Sequence, residues 1–229
     1  MNQKETRCLE FEIRAEETEK EGRRGRITGT PIVFNQETDM GWYRESISPE
    51  ALTETDLRDV KFLVGHNTRM IPLARSRNNN ENSTMQLSVT DQGMDIRVDL
   101  DIDNNPEARA LYSAVQRGDI SGMSFMFIVD KDSWEDIDTD VPKRTITGIR
   151  KVFEVSAVAF PAYEGTSIQA ASEGDPLDSV RASLESARKQ AEDDRAAAAE
   201  TERRTAVLDW LKEYVEQHCS EDEEESNNV

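Results

Sequence analysis

The fold class is decided by residues 106–127, whose sequence is PEARALYSAVQRGDISGMSFMF. Pro106 fits the first position of a helix, where its missing N–H would have no partner, and Gly118 fits the end, where a left-handed residue is favoured. The apolar positions between them recur at helical spacing and are Ala108, Leu111, Tyr112 and Val115. An apolar run from Met123 to Phe127 then predicts a strand. The segment therefore predicts a helix that leads into a buried strand.

Four other stretches carry strand patterns. Apolar and polar residues alternate over residues 9–14 and 94–102, which predicts strands with one buried face. Residues 60–64 and 153–160 are β-rich runs bounded by turn residues. Residues 130–140 are polar and predict a loop. No parallel βαβ repeat is evident, so the expected class is α+β, mostly β.

The chain is strongly acidic, with 28 Lys+Arg against 47 Asp+Glu and a formal net charge of −19. Binding to nucleic acid depends on clustered Lys and Arg, so this balance argues against direct contact with DNA or RNA. No apolar run approaches the ~20 residues that span a bilayer, and the N-terminus lacks the apolar core of a secretory signal. Cys8 and Cys219 lie at opposite ends, which argues against a disulfide framework and favours a reducing, intracellular site of synthesis. We therefore expect a soluble acidic protein with no membrane partner.

The negative charge is concentrated at the C-terminal end. Residues 171–229 hold 17 Asp+Glu against 7 Lys+Arg, which is more than half of the net charge in about a quarter of the chain. A shift in composition predicts a first domain over residues 1–170 and a charged, helical and partly disordered tail over residues 171–229. Two apolar stripes predict helices there: Leu177, Val180, Leu184, Ala187 and Ala191, and then Val207, Leu208, Leu211, Tyr214 and Val215. These helices fit two interpretations, solvated helices with fraying ends or a detachable arm that binds a partner.

No cofactor or metal is predicted. Residues 22–25, GRRG, form a basic turn rather than a phosphate-binding loop. With two histidines and two separated cysteines, the chain has no ligand cluster at a zinc-like spacing. Pairs of carboxylates carry no signal, because 47 acidic residues guarantee accidental pairs.

Three polar residues are candidates for chemistry. His66 is the only histidine of the first 170 residues and follows a β-rich run, where sites are commonly built, although a lone histidine also fits a structural role. Ser124 lies in an apolar strand and fits either a nucleophile or a hydroxyl bonded to a nearby carbonyl. Glu154 fits either a carboxylate that orients an imidazole or a residue on the solvent face of its strand. The segment around Ser124 is not the nucleophile elbow of α/β-hydrolases, which needs Gly where Met126 stands.

Taken in order, these segments resemble the prohead serine proteases of tailed bacteriophages. The resemblance covers roughly residues 9–171 and rests on short blocks in a fixed order. The blocks are Gly29–Asn35, Tyr43–Ile47, Ala51-Leu52, Gly65-His66-Asn67, Gly93-Met94, Ala110–Phe127, Glu154-Val155-Ser156 and Phe160-Pro161-Ala162. The resemblance implies a fold similar to that of herpesvirus assembly proteases, with a β-barrel core and peripheral helices.

The resemblance also implies roles for the candidate residues. The histidine of its Gly-His-Asn block, in this chain His66, acts as base, and the serine matched by Ser124 acts as nucleophile. Herpesvirus enzymes use a second histidine as the third member, and this domain has none, so Glu154 is the natural substitute. The family often has Gly two residues after the nucleophile, where this chain has Met126. Two segments are options for the oxyanion donors, the turn at Gly122 and residues 148–150.

The function implied by the resemblance is a protease of procapsid maturation that needs no cofactor. Its expected substrates are the scaffolding part of the major capsid protein, or a separate scaffold protein, together with its own tail. It would act inside the assembling procapsid in the cytoplasm of the bacterial host, and dimerisation is expected by analogy alone. The alternative is a non-enzymatic internal scaffolding protein that keeps a protease-like fold. A cysteine enzyme that uses Cys8 is a third hypothesis, although an alternating strand favours a packing role for that residue.

Overall fold

The computed structural model describes residues 4–9, 13–17, 24–159 and 176–219. Within them the chain forms eleven strands, two α-helices and two short 3-10 helices. The strands are β1 (Lys4–Leu9), β2 (Ile13–Glu17), β3 (Arg24–Val33), β4 (Thr38–Asp39), β5 (Arg44–Ile47), β6 (Lys61–Val64), β7 (Ala74–Arg75), β8 (Met85–Val89), β9 (Gly93–Asp101), β10 (Gly122–Glu135) and β11 (Lys143–Val158). The α-helices are α1 (Pro106–Arg117) and α2 (Pro176–Cys219), and the 3-10 helices span Pro49–Leu52 and Arg77–Asn79.

A long antiparallel hairpin of β10 and β11 forms the centre of a seven-stranded sheet. The other side of β10 pairs antiparallel with β1. Two short strands run parallel to β11, with β5 alongside residues 143–146 and β6 alongside residues 154–157. The strands β4 and β7 extend the sheet beyond β5 and β6. Because β6 joins the last part of β11, the residues that follow β6 lie beside the end of the hairpin where β10 begins.

The second sheet has four antiparallel strands in the order β2-β3-β9-β8, and α1 lies against β2, β3 and β9. The helix approaches β3 closely at Gly25, where an added Cβ would lie 2.6 Å from the Tyr112 ring. Any other residue at that position would push the helix away from the sheet. Apolar side chains of both sheets and of α1 form one core, which includes Ile27, Ile96, Leu111, Phe125 and Val155.

The helix predicted from the sequence is confirmed, because α1 begins at Pro106 and ends at Arg117. The Asn105 side chain accepts hydrogen bonds from the backbone N–H groups of the first turn, and Gly118 ends the helix with a φ of 77°. The strands predicted over residues 60–64 and 94–102 correspond to β6 and β9, and residues 153–158 form the end of β11.

One local prediction is wrong. Residues 130–135 belong to β10, so the hairpin turn comprises only residues 136–142. Cross-strand pairing with β11 overrides the polar composition of this stretch. Leu9 is the last residue of β1 in the large sheet and Ile13 is the first residue of β2 in the second sheet, but residues 10–12 lie outside the described residues, so the strand expected over residues 9–14 stays a prediction.

The α+β, mostly β class is confirmed, but the expected β-barrel core is not. A barrel needs a continuous ring of hydrogen-bonded strands. The described strands instead form two open sheets with no ladder between them, and among these strands β2 and β8 each pair on one side only. The likeness to herpesvirus proteases therefore does not extend to barrel closure in this part of the chain.

The helical tail is confirmed for residues 176–219, which form one continuous helix, α2. The chain divides into two compact units, residues 1–184 and residues 185–229. Val180 and Leu184, on the first turns of α2, are buried, whereas the second apolar stripe of the tail is exposed. The domain boundary at residues 170–176 stays a prediction, and residues 160–175 lie outside the described residues. In the part of the chain that the structure describes, no helix is both long and apolar enough to cross a bilayer.

Candidate active site

One face of the large sheet carries a group of polar side chains near the start of β10. In register, Ser124 of β10 lies opposite Ser156 of β11. Directly opposed residues in an antiparallel pair project to the same face, with Cβ atoms about 4.5–5.5 Å apart, and Glu154 shares that face because it lies two residues from Ser156. The intervening residues, Phe125 and Val155, belong to the core. The polar group therefore lies on the face of the sheet that is turned away from the core.

A tight turn places His66 at this face. β6 ends at Val64, and the next residue, Gly65, donates its N–H to the carbonyl of Ala157 at 3.0 Å. Asn67 then closes the turn by donating its N–H to the carbonyl of Val64 at 3.1 Å. Gly65 and His66 have φ angles of 58° and 57°, and the left-handed region is uncommon for a residue with a Cβ. Such a conformation persists only where the surrounding structure holds it.

The three residues His66, Glu154 and Ser156 form a closed set of hydrogen bonds. His66 Nδ1 lies 2.6 Å from Glu154 Oε1. Ser156 Oγ donates to Glu154 Oε2 at 2.6 Å and accepts the backbone N–H of His66 at 3.0 Å. The Glu154 side chain is only 3% exposed, and a buried carboxylate requires such partners. The interpretation of Glu154 as a residue on the solvent face is therefore wrong.

Ser124 lies on the same face and is fully buried. It pairs with Ser156 on one side and with Cys8 on the other. Since the Nδ1 atom of His66 is bonded to Glu154, Nε2 is the ring nitrogen left to act on a hydroxyl. The structure thus brings the three candidate residues to one end of one sheet face, although His66 and Glu154 are 88 positions apart in the sequence.

An irregularity in the ladder follows directly after Met126. Met126 is opposite Glu154, but the next residue, Phe127, is opposite Val152, so Phe153 is an extra residue on β11. This β-bulge reverses the alternation of side chains along the strand. The bulge allows Val152 to enter the core and Glu154 to face the polar group.

Of the two segments considered for oxyanion donors, only one lies near Ser124. Ile149 pairs with Val129, five residues along β10 from Ser124, and five residues of strand span about 17 Å. Oxyanion donors must lie about 3 Å from the reacting oxygen, so residues 148–150 are excluded. Gly122 is two residues from Ser124, which leaves the turn at Gly122 as the remaining option.

The hydrogen bonds of Ser156 were not predicted, because Ser156 was considered only as the last residue of the Glu-Val-Ser block. The sequence nevertheless contains a feature that identifies this residue. Ser156 is a serine in an apolar strand, which is the observation that selected Ser124, and its spacing of two from Glu154 places both on one face.

The donor set of this group is suited to proton transfer rather than to metal binding. Among the described residues, no cluster of three or more His, Cys, Asp or Glu side chains could hold a metal ion. The group itself consists of one imidazole, one carboxylate and two hydroxyls. These are the side chains with which serine hydrolases activate a hydroxyl for attack on a carbonyl.

The side chains of this group are of the kinds that serine hydrolases use, and the register places them on one face of the large sheet. The family comparison is more specific. The family model of the caudovirus prohead serine proteases matches residues 9–179, about three quarters of the chain. The chain therefore belongs to this family, and its membership indicates a serine protease that acts in phage prohead maturation. No curated protein and no solved structure matches the chain.

Proposed function

We propose that the protein is the serine endopeptidase of phage procapsid maturation, with Ser124 as nucleophile, His66 as general base and Glu154 as the residue that orients it. The observation that carries this proposal is the 2.6 Å contact between His66 Nδ1 and Glu154 Oε1, formed on the face that also carries Ser124. A carboxylate bonded to Nδ1 fixes the imidazole tautomer, so that the proton lies on Nδ1 and Nε2 carries the lone pair that can accept a proton.

The proposed reaction begins when His66 Nε2 accepts the proton of Ser124 as its Oγ attacks the carbonyl carbon of the scissile peptide bond. Glu154 stabilises the imidazolium that results. Backbone N–H groups at the Gly122 turn are the candidates for stabilising the oxyanion. His66 then donates its proton to the leaving amine as the peptide C–N bond breaks. In the second half, His66 accepts a proton from water as the water attacks the acyl-enzyme, and it returns that proton to Ser124 Oγ as the ester bond breaks.

The burial of Ser124 limits the access of a substrate to its hydroxyl. Ser124 has no exposed surface, and the His66 side chain is 16% exposed. A peptide bond can therefore reach the hydroxyl only after the residues that cover this face have moved. We expect a bound peptide to displace these residues.

The proposed substrates are the scaffolding region of the major capsid protein, or a separate scaffold protein, and the tail of the protease itself. The proposed site of action is the interior of the assembling procapsid in the host bacterial cytoplasm. The acidic helical tail supports this assignment, since a charged arm with an exposed apolar stripe is suited to holding the enzyme in the shell until the arm is removed. A homodimer is retained as a proposal by analogy.

Co-expression with the major capsid protein, followed by intact-mass analysis of both chains, tests the proposal. Ser124→Ala should reduce cleavage by several orders of magnitude and leave the fold intact. Ser121→Ala is the matched control, because Ser121 lies three residues earlier and is exposed. Unchanged cleavage in both Ser124→Ala and His66→Ala would support the alternative, a non-enzymatic scaffolding protein with a protease-like fold. Loss of cleavage only in a Cys8→Ala variant would support the cysteine-enzyme hypothesis.

A further inference from the structure

The hydroxyl of Ser156 contacts both members of the proposed acid–base pair. It donates to the Oε2 atom of Glu154 at 2.6 Å and accepts the backbone N–H of His66 at 3.0 Å. The residue has no exposed surface. A serine that only satisfied its own hydroxyl in a strand would bond to a neighbouring carbonyl. Both partners of Ser156 are residues of the candidate site instead.

These contacts restrain two degrees of freedom. A carboxylate held through Oε1 alone can rotate about its last side-chain torsion, which is broad and shallow. The bond from Ser156 to Oε2 fixes that rotation, so that Oε1 faces the imidazole of His66. The bond to the His66 N–H fixes the backbone at a residue whose φ is 57°, where the left-handed conformation needs support from its surroundings.

We infer that Ser156 is a positioning residue, which holds the Glu154 carboxylate and the His66 backbone so that the imidazole faces Ser124. The inference rests on the proposed function for its effect on catalysis. Its structural part, the restraint of the His66–Glu154 hydrogen bond, does not depend on whether the protein cleaves capsid protein. The two parts can therefore be measured separately.

The first measurement is kinetic and uses a peptide that spans a cleavage site mapped by co-expression. Ser156→Ala should lower kcat by about 100-fold, the effect of misplacing a reacting group by about 1 Å, with KM changed by less than about twofold, because Ser156 does not bind substrate. Ser156→Thr, which keeps the hydroxyl, should recover activity relative to Ser156→Ala. Ser88→Ala is the matched control, because Ser88 is an exposed strand serine on β8 of the other sheet.

The second measurement is proton NMR of the full chain in the inactive Ser124→Ala background. The chain has two histidines, so His218→Gln leaves His66 as the source of imidazole resonances. The Nδ1–H proton in the 2.6 Å contact should give a far-downfield resonance. Ser156→Ala should shift that resonance upfield or broaden it by exchange, and Ser88→Ala, on β8 of the other sheet, should leave it unchanged.

The outcomes separate this inference from the proposed function. A changed resonance in Ser156→Ala together with persistent cleavage in Ser124→Ala would preserve the positioning role and overturn the function. An unchanged resonance and an unchanged kcat in Ser156→Ala would overturn the positioning role alone. If Ser156→Ala does not fold, as judged by circular dichroism, Ser156→Cys replaces it. The thiol is somewhat larger than the hydroxyl and is a weak donor, so Ser156→Cys should show the same losses, and full retention of both signals would overturn the inference.

Discussion

Two buried polar clusters lie at opposite ends of the β10–β11 hairpin, and their chemistry differs. At one end, Glu154 is bonded to an imidazole and a hydroxyl. At the other end, Arg144 is 2% exposed and lies 2.7–3.0 Å from three carboxylates, Glu5, Glu45 and Asp132. The second cluster surrounds a permanent cation with anions, whereas the first pairs a single carboxylate with a group that can gain or lose a proton.

The same hairpin thus serves two purposes. Arg144 joins four strands, because Glu5 is on β1, Glu45 on β5 and Asp132 on β10. A guanidinium does not deprotonate in proteins, so this cluster can only hold strands together. The cluster around Glu154 contains an imidazole, whose ring nitrogens can both donate and accept a proton. A buried charge therefore does not by itself identify a catalytic site. The two clusters are distinguished by the group that faces the carboxylates, which is a guanidinium in one and an imidazole in the other.

The Arg144 cluster also reaches the tail helix. Asp132 accepts a hydrogen bond from Ser183 Oγ at 2.8 Å, and Ser183 accepts the indole N–H of Trp134 at 2.9 Å. With Val180 and Leu184 buried, the first turns of α2 are attached to the first compact unit. Any removal of the tail that leaves this unit intact is therefore expected to cut after residue 184, rather than at the predicted boundary.

The largest expected effect is on catalysis and comes from Glu154→Gln. An amide in place of the carboxylate favours the wrong imidazole tautomer, and such a change at the third position of a triad lowers kcat by about 10⁴. The rate of cleavage of the capsid protein measures it. Glu135→Gln, at the exposed end of β10, is the control. A loss of kcat smaller than about tenfold in Glu154→Gln would indicate that Glu154 has a structural role, as the carboxylates around Arg144 do.

The next effect is on stability and comes from Arg144→Met. Three carboxylates would lose their shared cation, and breaking a buried ion pair costs about 3–5 kcal/mol. Urea unfolding of the Ser124→Ala chain measures the free energy of unfolding. Arg150→Met is the matched control, because Arg150 is 54% exposed and its pair contributes about 1 kcal/mol at most. Equal effects of the two substitutions would contradict the role assigned to the cluster.

A smaller effect is expected from Ser183→Ala. Removal of the Ser183 hydroxyl leaves the Trp134 indole N–H without this acceptor, and the free energy of unfolding should fall by about 1–3 kcal/mol. Trp134 fluorescence should also shift to longer wavelength as the first turns of α2 loosen, which can be read in a Trp42→Phe, Trp210→Phe background. Ser186→Ala, about one turn further along at an exposed position, should change neither property, and a shift of similar size there would contradict the attachment.

The smallest effect concerns a partly exposed ion cluster between the two buried ones. Hydrogen bonds from Arg58 and then Lys151 hold the pKa of Asp56 well below its usual range. A carboxyl whose pKa is lowered by folding stabilises the protein above its unfolded pKa of about 3.9, and the contribution is lost as the pH falls further. Asp56→Asn should therefore lower the free energy of unfolding by less than about 1 kcal/mol at neutral pH.

The difference in the free energy of unfolding between the parent chain and Asp56→Asn should decrease as the pH is lowered below about 4. Thermal unfolding in a pH series measures it, with Asp91→Asn as a control at an exposed loop position. A difference that grows on acidification would show that folding does not lower the pKa of Asp56.

Local patterns were enough to predict α1, β6, β9, the start of β10 and the end of β11, and they singled out three candidate site residues. Pro106, Gly118 and the apolar stripe between them determine the helix through short-range sterics and burial. The scarcity of histidine isolated His66, and the apolar surroundings of Ser124 and Glu154 made each of them conspicuous. What local patterns did not predict was strand continuation through the polar residues 130–135, because that depends on pairing with β11.

The sequence by itself determined the class, the helix, the charged tail and which residue types were available for chemistry, since these follow from composition and short-range periodicity. Tertiary structure alone decided that the described strands form two separate sheets, that the Phe153 bulge turns Glu154 towards His66, and that Ser156 joins the two. It also decided that residues 148–150 lie too far from Ser124 to serve it. Each of these depends on the register between strands distant in sequence, and a shift of one residue would move every side chain to the opposite face.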